Sequence, residues 1–183
     1  KFQTTSGFFS NYNINLPVLS DTNTLTNVYN YKIFKELYEN NVSTLSFLFK
    51  SANSLSGDDI KLSERLYIPG NKIRGFETGK IGPKDGSDYI GGNFASTINA
   101  TTTIPMILEN VQSVDIVLFA DAANIWGVDY NSSLDKNGIR SSVGVGIDWL
   151  TAVGPLTFSF AYPITKESSD IEETFRFNIG TSF

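Results

Sequence analysis

The chain has no cysteine, no histidine and a single methionine among its 183 residues. Without Cys there is no disulfide framework, no thiolate metal site and no cysteine nucleophile. Without His there is no imidazole base, no Ser-His-Asp triad and no ordinary zinc site. Charge is scarce too: 18% of residues are Asp, Glu, Lys or Arg, below the usual quarter or so of a soluble protein. Lys+Arg at 14 against Asp+Glu at 19 gives a net charge of −5 without a basic run, which makes the chain a poor nucleic-acid binder, and no nucleic-acid partner is expected. Long apolar runs are also missing. Stretches such as Ile116 to Ala120 fall far short of the roughly 20 residues of a transmembrane helix. The first residue is Lys1 and no leader pattern follows, which reads as a processed product or a piece of a longer chain. Apolar content is 40%, ample for a packed or lipid-facing surface and too high for disorder.

The hydrophobic period is two. Ile139, Ser141, Val143, Val145, Ile147 and Trp149 share one face of a strand, and Arg140, Ser142, Gly144, Gly146 and Asp148 the other. Residues 155–164 repeat the pattern, with Leu156, Phe158, Phe160, Tyr162 and Ile164 against Thr157, Ser159 and Ala161. So do residues 174–183, with Phe175, Phe177, Ile179 and Phe183 against Arg176, Asn178 and Gly180. Between 111 and 122, Val114, Ile116, Leu118 and Ala120 alternate with Asp115, Val117, Phe119 and Asp121. Less regular strands are predicted near 6–18, 24–35, 41–52 and 92–104. That makes eight strands and no helix, with Ile33–Tyr38 read as strand and turn because Val28, Tyr29 and Tyr31 precede it.

Connections at 36–40, 105–110 and 150–155 are short, and those at 53–91, 125–138 and 165–170 mostly longer. The first, 19–23, breaks the rule by being short on the long-loop side. Short turns at one end, long loops at the other and strands of bilayer-spanning length describe an outer-membrane barrel. The second face supports this. A soluble sandwich should crowd it with Lys, Glu and Thr, whereas here it carries Gly, Ser, Asn and isolated charges. The pattern therefore predicts an all-β, antiparallel transmembrane β-barrel, with a soluble β-sandwich or lectin-like domain as the alternative.

The connection 53–91 is too long for a plain turn. It holds Ile73-Arg74-Gly75-Phe76-Glu77, then Ile81-Gly82-Pro83-Lys84, and closes on Gly91-Gly92-Asn93. These motifs, together with Phe119-Ala120-Asp121, Arg140 to Gly146, Gly154-Pro155-Leu156 and Phe175 to Gly180, resemble the C-terminal part of the BamA family of outer-membrane insertases. That family lies within the POTRA-domain translocator superfamily. The resemblance is weak over residues 1–50 and strong from 64 onwards. It implies that residues 1–183 form the last eight strands, the C-terminal half, of a sixteen-stranded barrel. Loop 53–91 is then its sixth extracellular loop, folded into the lumen, and the first eight strands and the periplasmic POTRA domains lie outside this sequence. One departure stands out: relatives often carry a Glu in the strand after Gly-Gly-Asn, at a register that here holds Thr101.

Arg74 offers a planar fork for a carboxylate and Gly75 a tight bend. By the alternation Asp121 lies on the lumenal face. The resemblance implies that Arg74 is anchored there, against the bland reading of an unpartnered loop arginine; Glu77 is either a second member or solvated. Asp115, Arg140, Asp148 and Arg176 read as ordinary polar lining. Gly144 and Gly146 lack the spacing of a dinucleotide fingerprint and are expected to let the strand coil or make room for the loop. Asp58-Asp59 lacks the spacing of a calcium site. No metal, cofactor or enzymatic activity is expected. Phe175, Phe177, Ile179 and a terminal Phe183 resemble the family's β-signal, and Gly180 its kink glycine, on one side of a weak seam. The resemblance implies assembly of other proteins in the Gram-negative outer membrane. Its partners would be the lipid bilayer, unfolded β-barrel clients and, through the missing periplasmic domains, accessory lipoproteins. Alternatives are a TamA-like or two-partner-secretion translocator, a passive porin, or a soluble adhesin.

Overall fold

The computed structural model describes residues 4–17, 23–38, 41–104, 113–135, 137–151 and 154–180. The strands in chain order are β1 (Gly7–Asn15), β2 (Thr24–Tyr38), β3 (Asn41–Ser54), β4 (Gly75–Phe76), β5 (Lys84–Asp85), β6 (Asp88–Tyr89), β7 (Phe94–Ile104), β8 (Val114–Trp126), β9 (Arg140–Thr151), β10 (Gly154–Thr165), β11 (Glu172–Glu173) and β12 (Phe175–Ile179). The eight long strands form one antiparallel sheet in the order β1-β2-β3-β7-β8-β9-β10-β12. Among the described residues there is no α-helix, only 3₁₀ turns at Leu62–Glu64, Gly70–Lys72 and Ser132–Leu134. β1 and β12 are the two edges of the sheet, and among the described residues no ladder joins them.

The period-two pattern sorts the side chains as expected. Val143, Val145, Phe160, Tyr162, Phe175, Phe177 and Ile179 stand exposed on one face. Asp121, Ala123, Ile125, Arg140, Ser142, Ser159 and Ala161 are buried on the other, because the long loop lies over it. The core is a layer between loop and wall. The loop supplies large side chains, Ile60, Leu66, Ile68, Ile73, Phe76 and Ile81. The wall supplies mostly small ones, Ala52, Ala95 and Ala123, with Ile125. Small wall residues leave the volume that the loop fills; burying one large aliphatic or aromatic side chain such as Phe76 contributes about 1.5–3 kcal/mol.

Two boundaries differ from expectation. β2 continues to Tyr38, with a register shift between Glu36 and Tyr38, so there is no turn at Ile33–Tyr38. Ile33, Lys35 and Leu37 simply prolong the alternation on the exposed face. At the other end β12 stops at Ile179, and Gly180, where the resemblance implies a kink, takes φ +104° with its N–H still on the Pro155 carbonyl at 2.8 Å, a conformation that costs glycine little and a branched residue much. Thr181, Ser182 and Phe183, the end of the expected β-signal, lie outside the described residues, as do residues 105–110 and parts of the connections 19–23, 36–40 and 150–155. Two ring pairs hold β12 to β10, Phe158 stacked on Phe177 and Phe160 tilted against Phe175, each with centroids 4.9 Å apart.

Candidate functional site

Strand register builds a polar row across the covered face. Ser46 of β3 lies opposite Asn99 of β7, Asn99 opposite Asp121 of β8, and Asp121 opposite Ser142 of β9. All four are buried. Buried polar groups are costly unless hydrogen-bonded, and here the loop supplies the partners. Residues 72–76 run across the row from β7 towards β10. The Asn99 amide donates to the Lys72 carbonyl at 2.7 Å and to Asp121 Oδ1 at 2.9 Å. Arg74 grips Asp121 with both arms of its fork, Nε to Oδ2 and Nη2 to Oδ1, each at 2.7 Å. The Arg74 backbone N–H adds a third bond to Oδ2 at 3.1 Å. Ser142 Oγ donates to the Arg74 carbonyl at 2.5 Å. The Asp121 side chain is fully buried and that of Arg74 18% exposed, so the pair is shielded from bulk water. Burial and the nearby Lys32 charge lower the proton affinity of Lys72 beside it, against the opposing pull of Asp121.

The guanidinium of Arg74 also lies over the Phe119 ring, 3.4 Å from its centroid. Phe119 faces Gly144 across the β8–β9 ladder. A Cβ on Gly144 would overlap the Phe119 ring and the Phe160 carbonyl oxygen, whereas one on Gly146 would meet nothing closer than the Phe158 carbonyl at 3.6 Å. The two glycines are therefore not equivalent. Gly144 lets the aromatic ring lie flat on the neighbouring strand, a way of covering a strand glycine, and so sets the platform for Arg74. Gly144→Ala is expected to displace Phe119 and expose the loop to protease, while Gly146→Ala leaves protease resistance at the wild-type level. Equal resistance in the two variants would remove Gly144 from the platform.

Beyond Arg74 the loop bends at Gly75, with φ +90°; a Cβ there would crowd Ser142 Cβ at 3.2 Å and Ala161 Cβ at 3.3 Å. β4 then pairs with β11, Phe76 opposite Glu172 and Gly75 opposite Glu173. Glu77 itself is exposed, and its backbone N–H donates to the Ile171 carbonyl at 2.9 Å. Its contribution to the anchor is thus through the main chain. Ile73 and Phe76 are buried in the core layer.

Two arginines read from sequence as ordinary lining do more than that. Arg176 of β12 donates to the carbonyls of Gly70 and, at 2.5 Å, of Phe76, and pairs with Glu173 through Nε at 2.7 Å. Arg140 forms a two-armed pair with Asp170, 2.9 and 3.1 Å, with both side chains fully buried, and also donates to the Gly138 carbonyl at 2.6 Å. Their alternation placed them on the covered face; the partners sit in connections, which periodicity does not describe. Asp115 and Asp148 do lie opposite one another along the wall, with Asp148 accepting from Thr157 at 2.8 Å. Thr101 stays out of the anchor, whose third member is Asn99. Asn99 lies two residues before Thr101 on the same face of β7 and directly opposite Asp121.

A second cluster ties the loop to the connection after β8. Asp129 accepts from the Ile60 N–H at 2.7 Å and from Asn93 at 3.1 Å, and pairs with the buried Arg65, whose guanidinium lies 5.0 Å from the Tyr130 ring centroid. Burial raises the Asp129 pKa, but the Ile60 N–H, Asn93 and Arg65 outweigh it and hold the carboxyl below the usual range. A carboxylate depressed on folding contributes stability that is full above its unfolded pKa and is lost as pH falls through the folded one. Residues 55–69 are therefore expected to become protease-sensitive in acid below about pH 4, and in Asp129→Asn already at neutral pH. An acid profile identical in that variant and wild type would assign the transition elsewhere.

A family model described as the Omp85 superfamily domain matches residues 1–183. The chain is 32% identical over 154 residues to an outer membrane protein assembly factor BamA of Neisseria meningitidis serogroup B, covering 68% of this chain and 19% of that protein. Against a BamA of Neorickettsia risticii the identity is 29% over 147 residues, with 77% and 20% covered. A SAM50-like protein of Schizosaccharomyces pombe is 27% identical over 150 residues, with 76% and 31% covered. Among solved structures, that of Haemophilus ducreyi BamA lacking POTRA domains 1–3 superposes with a TM-score of 0.85 at 26% identity, over 97% of this chain and 38% of the other. The chain thus spans about a fifth of the length of the BamA relatives it matches. With eight antiparallel strands that match a BamA barrel wall, a loop folded onto its inner face and a family model covering its whole length, the chain belongs to the Omp85 superfamily.

Proposed function

We propose that these residues form the C-terminal half of a BamA-type barrel and take part in inserting β-barrel clients into the outer membrane through a seam at β12. The exposed face is then the lipid-facing surface, the covered face the lumen and residues 55–93 the lumenal plug, and the protein makes or breaks no covalent bond. Clients, and the accessory lipoproteins that periplasmic domains would recruit, belong to the complete protein.

The observation that carries this reading is the unequal closure of the wall. The β9–β10 ladder runs from Gly154↔Thr151 to Thr165↔Ser141, whereas among the described residues the β12 ladder on β10 runs from Leu156↔Ile179 to Phe160↔Phe175, with one further main-chain bond at each end, Gly180 N–H to Pro155 and Ala161 N–H to Thr174. A strand that is short and bends at Gly180 offers few ladder bonds to whichever strand flanks it across the seam. Unpaired backbone groups are expensive in lipid, so such a seam favours addition of an incoming strand. A passive porin is disfavoured because loop side chains fill the space beside the wall.

The test is Gly180→Val in the full-length protein. Valine resists φ +104° and prefers extended backbone, so β12 should run straight and pair more firmly across the seam. Cysteine crosslinking across the seam is expected to rise and client insertion to fall, with the barrel still folded. Raised crosslinking at an unchanged insertion rate would show that the seam is not the working part.

A further inference from the structure

Two adjacent rows of the exposed face differ in chemistry. Near the end of β2, Lys35 lies opposite Ser43 of β3, Ser43 opposite Thr102 of β7, and Thr102 opposite Leu118 of β8. One pleat further along, the row is apolar: Ile33, Leu45, Ala100 and Ala120. The two alanines lie low between Leu45 and Leu118, which are 49% and 41% exposed. The result is a furrow of about 590 Å³ with Lys35 and the hydroxyls at one end. Lys35 is exposed and enters none of the ion pairs among the described residues. Ser43 Oγ donates to Thr102 Oγ1 at 2.9 Å, and Thr102 in turn to Asn41 at 3.3 Å, so Ser43 keeps acceptor capacity towards the surface.

We propose that this furrow is a docking site for one anionic phosphoglyceride, with an acyl chain over Ala100 and Ala120, the phosphate on Lys35 and a headgroup hydroxyl donating to Ser43. A cation with no ion pair among the described residues, at the end of a mostly apolar furrow, complements a phosphate. A lysine near a strand end reaches the headgroup level with its stem along the apolar wall. A client strand does not fit this place, because β3 and β7 are interior strands whose ladders are taken on both sides. What docks here must use hydrocarbon and a headgroup rather than backbone.

The inference rests on the reading of the exposed face as lipid-facing, and the two can fail separately. If the full-length protein does not fold into phosphatidylcholine vesicles, the membrane reading itself falls. Given a folded barrel, native mass spectrometry in detergent with added palmitoyl-oleoyl phosphatidylglycerol tests the site. Wild type is expected to hold one lipid more tightly than Lys35→Gln does, by about fivefold for one lysine–headgroup contact. It should also prefer that lipid over a diacylglycerol with the same chains. The double variant Ala100→Leu/Ala120→Leu, which fills the furrow, should lose the tightly held lipid. Equal retention by wild type and Lys35→Gln, or no preference over diacylglycerol, overturns the proposal whether or not the furrow-filled variant folds. Loss in Lys35→Gln with full retention in a folded furrow-filled variant overturns the acyl-chain placement.

Discussion

Removing Asp121 should release the long loop. In Asp121→Ala the Arg74 guanidinium loses both arms of its carboxylate pair, the Arg74 N–H loses its acceptor, and Asn99 loses one of its two. Breaking a buried pair by deleting one partner typically costs about 3–5 kcal/mol, far above the 0–1 kcal/mol of an exposed pair. Arg74→Ala should be similarly damaging, because it leaves a fully buried carboxylate with only an amide N–H and Asn99. Arg74→Lys should recover little, since an ammonium cannot make the two-armed contact. The observable is protease protection of residues 72–77 in the full-length barrel. The double variant should cost much less than the sum of the singles, a coupling of about 0.5–3 kcal/mol for residues in direct contact. Strictly additive defects would show that the pair does not hold the loop.

The second large effect is expected at Arg140 and Asp170. Both side chains are fully buried, and the loop around them has only modest means to compensate: after Arg140→Met, Asp170 keeps the Glu167 N–H at 2.7 Å and nothing charged. A loss of about 3–5 kcal/mol is expected from the stranded carboxylate, read as a lower midpoint in denaturant-induced unfolding from detergent. The double variant Arg140→Met/Asp170→Leu should recover most of it, because replacing both members of a buried pair by apolar groups is often near neutral. A double variant as unstable as the single would mean that the cost lies in packing. The defect should also spread. Asp170 precedes the main-chain bonds from the Glu77 N–H to Ile171 and from the Ile171 N–H to Lys80, so loosening it frees the far side of the same loop.

These two pairs show what the amino-acid sequence could and could not reveal. Alternation put Asp121, Arg140, Ser142 and Arg176 on one face, since period two fixes the side of a sheet whatever the sheet encloses. The motif Ile73-Arg74-Gly75-Phe76 with an inward aspartate makes the first pair legible through the family resemblance. Asp170 and Asp129 were not legible, because connections carry no period and their partners are set by how loops fold over one another. Glu77 shows the same limit from the other side: a carboxylate next to the motif contributes its backbone, and no side-chain reasoning would find that. The role of Gly144 needs three dimensions, since only the close approach of the Phe119 ring, with Arg74 over it, distinguishes it from Gly146.

Hydrogen–deuterium exchange of the full-length protein in lipid nanodiscs tests the central claim, that the loop is pinned to the wall through Asp121. In wild type the amides of Arg74 and Glu77, bonded to Asp121 and to Ile171, should be as protected as those of β7 and β8. In Asp121→Ala they should exchange rapidly while the two strands keep their protection. Fast exchange over residues 72–77 in wild type, or unchanged protection in Asp121→Ala, would contradict it.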